Sequence, residues 1–320
     1  MSGSTPLALR RLAALGAVAL LGLAACGSDD TDTSAASAPA ATPAATGAPA
    51  VSDAPMSSDE PTTMKIVSLS PSATEMLFAI GAGPDVIAVD DQSNFPDEAL
   101  AVQTDLSGYT PNVEAIAKYE PDLVIHDGTT DLGTQLQAIG IADWVGAAPV
   151  DFDDIYVQIE QLGAATGHVA EADELVAQMR ADIDAAVASV ATPATPLRFY
   201  HELDDTLYSI TSNTFIGQVY GLFGLQNIAD TTEGTSDYPQ LSPEFVISQS
   251  PDLIFLADTK CCGQSPATVA ARAGWGVVSA VTNGGVVSMD DDVASRWGPR
   301  IVDYVQQVAA AVNGVTVAAP

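Results

Sequence analysis

Two cysteines stand side by side in Cys261-Cys262-Gly263. Neighbouring thiols can close only an eight-membered ring, with Cα atoms about 3.8 Å apart where ordinary disulfides hold them about 5.5 Å apart. In an oxidising compartment the favoured reading is a vicinal disulfide that stiffens the loop after Leu253–Leu256. Pairing between molecules and free thiols are the alternatives. Three histidines, His126, His168 and His201, lie far apart in the sequence. A zinc-type site needs several such ligands and a carboxylate converging on one point, and only His126 and His201 fall near strand ends, so no metal and no cofactor is expected. Ser70, Ser72, His126 and Asp127 supply the residue types of a hydrolytic triad without its spacing. Gly-x-Ser-x-Gly, the Walker loop and His-Glu-x-x-His are absent. Gly81-Ala82-Gly83 follows a helix instead of a strand, and Val86 stands where a dinucleotide loop needs its third glycine. A protein that binds without chemistry fits this inventory better than an enzyme.

The charge balance narrows the partners. Ten Lys and Arg face 41 Asp and Glu, a formal charge of −31. Such a surface repels phosphate backbones, so no nucleic-acid partner is expected.

The first 25 residues read as a leader. Arg10 and Arg11 precede the apolar run Leu12–Gly22, too short to span a bilayer comfortably, and the run ends in Leu23-Ala24-Ala25-Cys26. That ending looks like a bacterial lipobox, which makes Cys26 the expected lipid attachment site and the protein exported and tethered. Loss of the leader would leave 8 Lys and Arg against 41 acids, −33. Residues 26–62 are mostly Ser, Thr, Ala, Pro and Asp with no aromatic and no apolar period, and read as a disordered tether.

The elements that must position any site follow. Lys65–Leu69 reads as a strand, then Ser70–Gly81 as a helix with capping-box spacing at Ser72 and Glu75 and a C-terminal glycine at Gly81. Val86–Val89 and Leu123–Ile125 are further strands, and Asp151–Gly167 is a helix with Ile155, Ile159 and Leu162 in register. His168 to Thr192 contains no Gly or Pro, and Val176, Met179, Ile183, Val187 and Val190 share one helical stripe. A 25-residue helix there would reach about 37 Å, the width of a small domain. Beyond Pro196 the plan restarts with strands at Leu197–Tyr200, Leu253–Leu256 and Val286–Met289. A helix over Thr214–Phe223 follows a cap at Thr211–Asn213, and a last helix ends at Asn313-Gly314. Expected boundaries are an α/β lobe over 63–167, a connecting helix over 168–192 and a second α/β lobe over 193–316.

The halves superimpose in sequence. Asn112-Val113-Glu114 leads to Pro121-Asp122-Leu123, and Ser242-Pro243-Glu244 leads to Pro251-Asp252-Leu253. Glu114/Glu244, Pro121/Pro251 and Asp122/Asp252 are all offset by 130, which suggests duplicated lobes.

Taken together, these segments resemble the bacterial periplasmic-binding proteins for cobalamin and ferric siderophores, the solute receptors of ATP-binding-cassette importers. Ile66–Glu75, Asn112–Glu114, Glu120–Ile125 and Ser250–Ile254 carry the resemblance, which covers roughly Lys65 to Val312. It implies two Rossmann-like lobes joined by one long helix, a ligand between them and only small closure. Glu114 and Glu244 match the carboxylates that dock onto permease arginines. The implied ligand-binding residues are Phe95, Tyr109, His126 and Asp127 from the first lobe, and Tyr208, Tyr238, Asp292, Arg296 and Trp297 from the second. Aromatic walls of this kind bury a large flat ligand while a few polar groups orient it. Asp292 and Arg296 match the cobalamin group's pattern before Pro299-Arg300, whereas catecholate siderophores need more Arg and Lys than this chain offers. The expected ligand is therefore a corrinoid, then a ferric hydroxamate, then haem. The expected partner is an importer permease, met by a monomer anchored to the membrane through its lipid. An exported enzyme acting on a metal chelate or ester is the alternative from another class, and a haem or metal-ion receptor of the same fold is the alternative within this one.

Overall fold

The computed structural model of the protein describes residues 63–193, 195–232 and 234–318. The leader, the tether and Cys26 lie outside the described residues. The first lobe runs β1 (Ile66–Ser68), α1 (Pro71–Ala79), β2 (Val86–Val89), α2 (Val113–Ala117), β3 (Leu123–His126), α3 (Leu132–Ala138) and β4 (Ala142–Val145). Its strands are all parallel in the order β2-β1-β3-β4. Helices α4 (Phe152–Thr166) and α5 (Val169–Ala188) come next. The second lobe runs β5 (Arg198–Glu202), α6 (Phe215–Gly221), β6 (Gln226–Asn227), α7 (Pro243–Gln249), β7 (Leu253–Leu256), α8 (Pro266–Ala270), α9 (Ser279–Asn283) and β8 (Val286–Ser288). Its order, β6-β5-β7-β8, repeats the first, again all parallel. Helices α10 (Asp291–Ala294) and α11 (Ile301–Ala318) complete the described chain. Strands β3 and β7 are buried at every residue, which is why they read as unbroken apolar runs and not as alternating ones.

The connecting helix is shorter than its sequence pattern suggests. It spans 20 residues, about 30 Å, and stops at Ala188. There the Ser189 hydroxyl donates to the Ala186 carbonyl at 2.6 Å, and Thr192, ahead of Pro193, is disfavoured from helix. Its stripe of Val176, Met179 and Ile183 is buried against Ile155, Ile159 and Leu162 of α4 and Val305, Val308 and Val312 of α11. Each such side chain contributes about 1.5–3 kcal/mol on burial. One apolar core therefore takes residues from both sheets and from the helix that links them.

Several local readings need correction. Strands β4 and β6 carry no clear pattern: β4 is half exposed and β6 has two residues. The cap of α6 is Thr214, whose hydroxyl accepts from the Gly217 N–H, and α11 continues past Gly314. At α1 the cap is Ser70, accepting from the Ala73 N–H, and not Ser72. Ser72 and Glu75 turn instead toward the second lobe, where both find partners.

Candidate functional site

Each sheet changes direction beside its first strand, with β1 between β2 and β3, and β5 between β6 and β7. The crevice outside strand C-termini at such a point is where open α/β sheets hold ligands. Two cavities occupy those places. One, of about 310 Å³, is lined by Leu69 to Ser72 after β1, Asp90 after β2 and Asp127 after β3, and reaches Trp297. The other, of about 410 Å³, is lined by His201 and Leu203 at the end of β5, Ala257 after β7 and Phe215 of α6. They share Ser295, Arg296 and Trp297, so one cleft runs between the lobes. Gly108 closes the first-lobe wall: a Cβ there would stand 2.6 Å from the Leu69 carbonyl oxygen and 3.2 Å from Asp90 Oδ2.

Arg296 is the hinge of the polar network. Its Nη1 donates to Glu75 Oε1 at 3.1 Å and to Asn94 Oδ1 at 2.8 Å, and its Nη2 to the Gln92 carbonyl at 2.9 Å and Asp292 Oδ1 at 3.1 Å. Asn94 Nδ2 donates to Asp292 Oδ2 at 3.2 Å, so three first-lobe groups and one second-lobe carboxylate surround the guanidinium. Burial opposes ionisation of Asp292, but the Lys260 hydrogen bond and the Arg296 charge hold its carboxyl below the ordinary range. Burial pushes the Asp90 carboxyl up. Trp297 crosses the lobes as well, its N–H donating to Ser72 Oγ at 3.2 Å and its Nε1–H to Gln158 Oε1 at 3.3 Å.

Cys261 and Cys262 are joined by a disulfide, their Cα atoms 3.8 Å apart. The Asp291 carboxylate accepts from the N–H groups of Thr259, Lys260 and Cys261, each at 2.8–2.9 Å, which fixes the loop ahead of the ring. His201 lies at the second-lobe cavity, fully buried, with Nδ1 2.8 Å from the Tyr220 hydroxyl. Its Nε2 has no hydrogen-bond partner, and burial pulls its pKa down to about 3. Among the described residues no three His, Cys, Asp or Glu side chains cluster as a metal site.

The profile of the family described as periplasmic binding protein matches residues 66–293. The chain belongs to that family. It is 31% identical to a cobalamin-binding protein of Halobacterium salinarum over 262 residues, 79% of this chain and 70% of that one. An ABC transporter substrate-binding lipoprotein of Bacillus subtilis is 29% identical over 257 residues, 78% of this chain and 79% of its own. The crystal structure of the periplasmic vitamin B12-binding protein of Vibrio cholerae has a TM-score of 0.64 and 27% identity, covering 78% of this chain and 97% of that one.

In this periplasmic binding protein the expected site residues part into groups. Tyr109, Asp127, Asp292, Arg296 and Trp297 meet at the first-lobe cavity, and Tyr238 joins Arg296 and Trp297 at the second. Phe95 lies elsewhere, its ring 4.2 Å beneath the Arg300 guanidinium in a separate cavity of about 660 Å³ bounded by α1 and β2. His126 is buried: its Nδ1 accepts from the Gly128 N–H at 3.1 Å, leaving Nε2 to face Asp143 at 3.2 Å. It meets neither Ser70 nor Ser72, so the triad those residues suggested does not assemble. Tyr208 lines neither cleft cavity and pairs through its backbone with Gln240. Glu114 and Glu244 are exposed, each in the first turn of the helix that precedes the third strand of its sheet. Glu75 escaped the sequence reading because its capping spacing gave it a local job, and a partner more than 200 residues away leaves no mark on spacing.

Proposed function

We propose that this periplasmic binding protein is the extracytoplasmic receptor of an ATP-binding-cassette importer, carrying a corrinoid between its lobes. The observation that carries the ligand class is the charge of the cleft. Asp90, Asp127, Asp291 and Asp292 line it, and its one cation among the described residues, Arg296, is already taken by Glu75 and Asp292. An anionic catecholate chelate would meet carboxylates with no free guanidinium to receive it. A neutral or cationic macrocycle meets aromatic surface from Tyr109, Tyr238, Phe215 and Trp297, with Asp127 and Asp292 to take hydrogen bonds from its periphery. Similarity to the cobalamin-binding protein of Halobacterium salinarum supports the same class.

The protein binds and releases; no reaction is assigned to it. Glu114 and Glu244 are read as the permease-facing carboxylates, and Cys26 as the lipid-bearing residue.

Haem is the second reading, favoured by His201, which borders the second-lobe cavity and whose Nε2 has no hydrogen-bond partner. Equilibrium titration of the purified protein with cyanocobalamin, haemin and a ferric hydroxamate, read by visible absorption and calorimetry, tests the assignment. Saturable one-to-one binding of cyanocobalamin with at least tenfold preference is expected. A Soret shift with haemin and no response to cyanocobalamin would transfer the assignment to haem.

A further inference from the structure

A disulfide between sequence neighbours cross-links nothing. Loop-closure stabilisation grows with the length of chain enclosed, and here the sequence separation is one, so stapling the fold does not account for the ring. Its setting offers another role. Cys261 is exposed and borders the second-lobe cavity together with Leu203, Phe215, Tyr238 and Trp297. The strand end that leads to the ring is held on the protein side by the Asp258 carbonyl, which accepts from the Cys262 N–H at 3.3 Å and the Gln264 N–H at 3.2 Å. On the other side, Lys260 Nζ donates to Asp290 and Asp292 at 2.7 Å, tying the loop to the Arg296 network. Cys261 is thus fixed at the cavity, with its ring partner Cys262 directly behind it in the chain. The same cavity borders the buried His201, whose Nε2 has no protein partner, an unmet polar demand beside an apolar wall.

We infer that the Cys261–Cys262 ring is a ligand-contact surface of the second-lobe cavity, a polarizable, donor-free sulfur face against which a flat macrocyclic ligand packs. Sulfur set against a conjugated ring is favourable, and closing the disulfide removes two S–H groups that would otherwise face the ligand. Breaking the S–S bond frees both thiols to rotate and weakens binding. In that step a dithiol such as dithiothreitol supplies two electrons and two protons; the S–S bond becomes two S–H groups and the dithiol closes to its own disulfide. The inference rests on the receptor reading and names a contact within it.

Linkage makes the test reciprocal: whatever factor reduction costs in affinity, bound ligand must return in resistance to reduction. Oxidised protein is titrated with cyanocobalamin, then the rate and equilibrium of thiol release by dithiothreitol are followed with and without saturating cyanocobalamin. We expect reduction to lower the affinity about tenfold, the ligand to slow thiol release, and the reduction potential to fall by about 30 mV, the equivalent of tenfold for a two-electron couple. Cys261→Ser/Cys262→Ser should bind about tenfold more weakly at an unchanged thermal midpoint, and its binding should ignore dithiothreitol. Cyanocobalamin binding with equal affinity before and after reduction, and no protection of the sulfurs, overturns this inference and leaves the receptor reading standing. Failure of the oxidised protein to bind cyanocobalamin, haemin or a ferric hydroxamate overturns both.

Discussion

Glu75 of α1 and Arg300, one residue before α11, lock together across the two lobes: Arg300 Nε donates to Oε2 at 2.9 Å while Nη2 donates to Oε1. Arg296 Nη1 donates to Oε1 of the same carboxylate at 3.1 Å, and the Glu75 side chain is only 1% exposed. A forked guanidinium on a carboxylate is directional as well as strong, so this contact fixes how the lobes meet. Rigid registration of the lobes suits a receptor that grips a large ligand with little closure.

Removing one member of a buried ion cluster costs more than the cluster itself contributes, because the remaining charges lose their counter-ion. Glu75→Gln leaves Arg296 and Arg300 facing each other without the carboxylate, and should destabilise the protein by about 3–5 kcal/mol in urea unfolding. Arg300→Lys keeps the charge but loses both the fork and the stack on Phe95, so it should fall between wild type and Glu75→Gln. A loss below about 1 kcal/mol for Glu75→Gln would mean that water replaces the carboxylate and that the junction is wetter than its burial implies.

Asp258 gives the second lobe a pH signature. It is fully buried beside Glu202, which the Arg272 guanidinium grips through both carboxylate oxygens. Burial first, and the Glu202 charge second, raise the Asp258 carboxyl to about 8. In the unfolded chain the same group ionises near 3.9. Between those values the folded state holds a proton that the unfolded state has released, so stability falls as pH rises from about 4 to about 8 and levels off above. Asp258→Asn has no proton to lose, and its stability relative to wild type should climb across that window and then plateau. Parallel pH curves from denaturant unfolding of the two proteins would show that Asp258 is ionised when folded.

The sequence made the scaffold legible because parallel strands buried on both faces announce themselves as apolar runs, as Leu253–Leu256 does. The 130-residue offset between Glu114 and Glu244 likewise reports a repeated topology, visible in the matching strand orders. Edge elements were not legible: Ala142–Val145 is half exposed, so no pattern is imposed on it. Of the candidate cleft, part was legible. Asp292, Arg296 and Trp297 sit close together in sequence and also in space, around one turn. Phe95, His126 and Tyr208 have the right residue types near strand ends, but packing decides whether such a side chain faces the cleft or the interior. His126 turns inward because the Gly128 N–H and Asp143 saturate its ring.

Gly108 is the place where the cleft wall tolerates no side chain. The Cβ of an alanine would stand 2.6 Å from a backbone oxygen, so either residues 107–109 or Leu69 must move. Overpacking of this sort costs about 1–3 kcal/mol, and here the displaced atoms border the first-lobe cavity through Tyr109 and Ser70. Gly108→Ala should therefore lower cyanocobalamin affinity at least fivefold while the protein remains folded at room temperature. Unaltered affinity in calorimetry would show that the ligand does not use this wall.

Cys26→Ser tests the anchor. A single thiol is the only attachment point that Leu23-Ala24-Ala25-Cys26 provides, so the variant should appear in the soluble fraction or as an uncleaved precursor. Normal processing and full membrane retention, read by fractionation and intact mass, would assign the anchor to another residue.

The last expectation concerns handover. Glu114 and Glu244 occupy equivalent first-turn positions in the two lobes, are exposed, and line neither cleft cavity. As surface carboxylates they should contribute about 0.5 kcal/mol or less to folding each. A charge-assisted pair formed only in the docked complex can nevertheless be worth about 2–5 kcal/mol of binding. Glu114→Ala/Glu244→Ala should then hold cyanocobalamin affinity within about twofold, well short of the ~1.4 kcal/mol that a tenfold change requires. Uptake through the cognate importer should fall steeply, and reversal to Lys should be worse than Ala because repulsion is added to the lost attraction. Affinity and uptake measured on the same variants separate the possibilities: a collapse of affinity with docking intact would move these carboxylates from the permease face to the ligand.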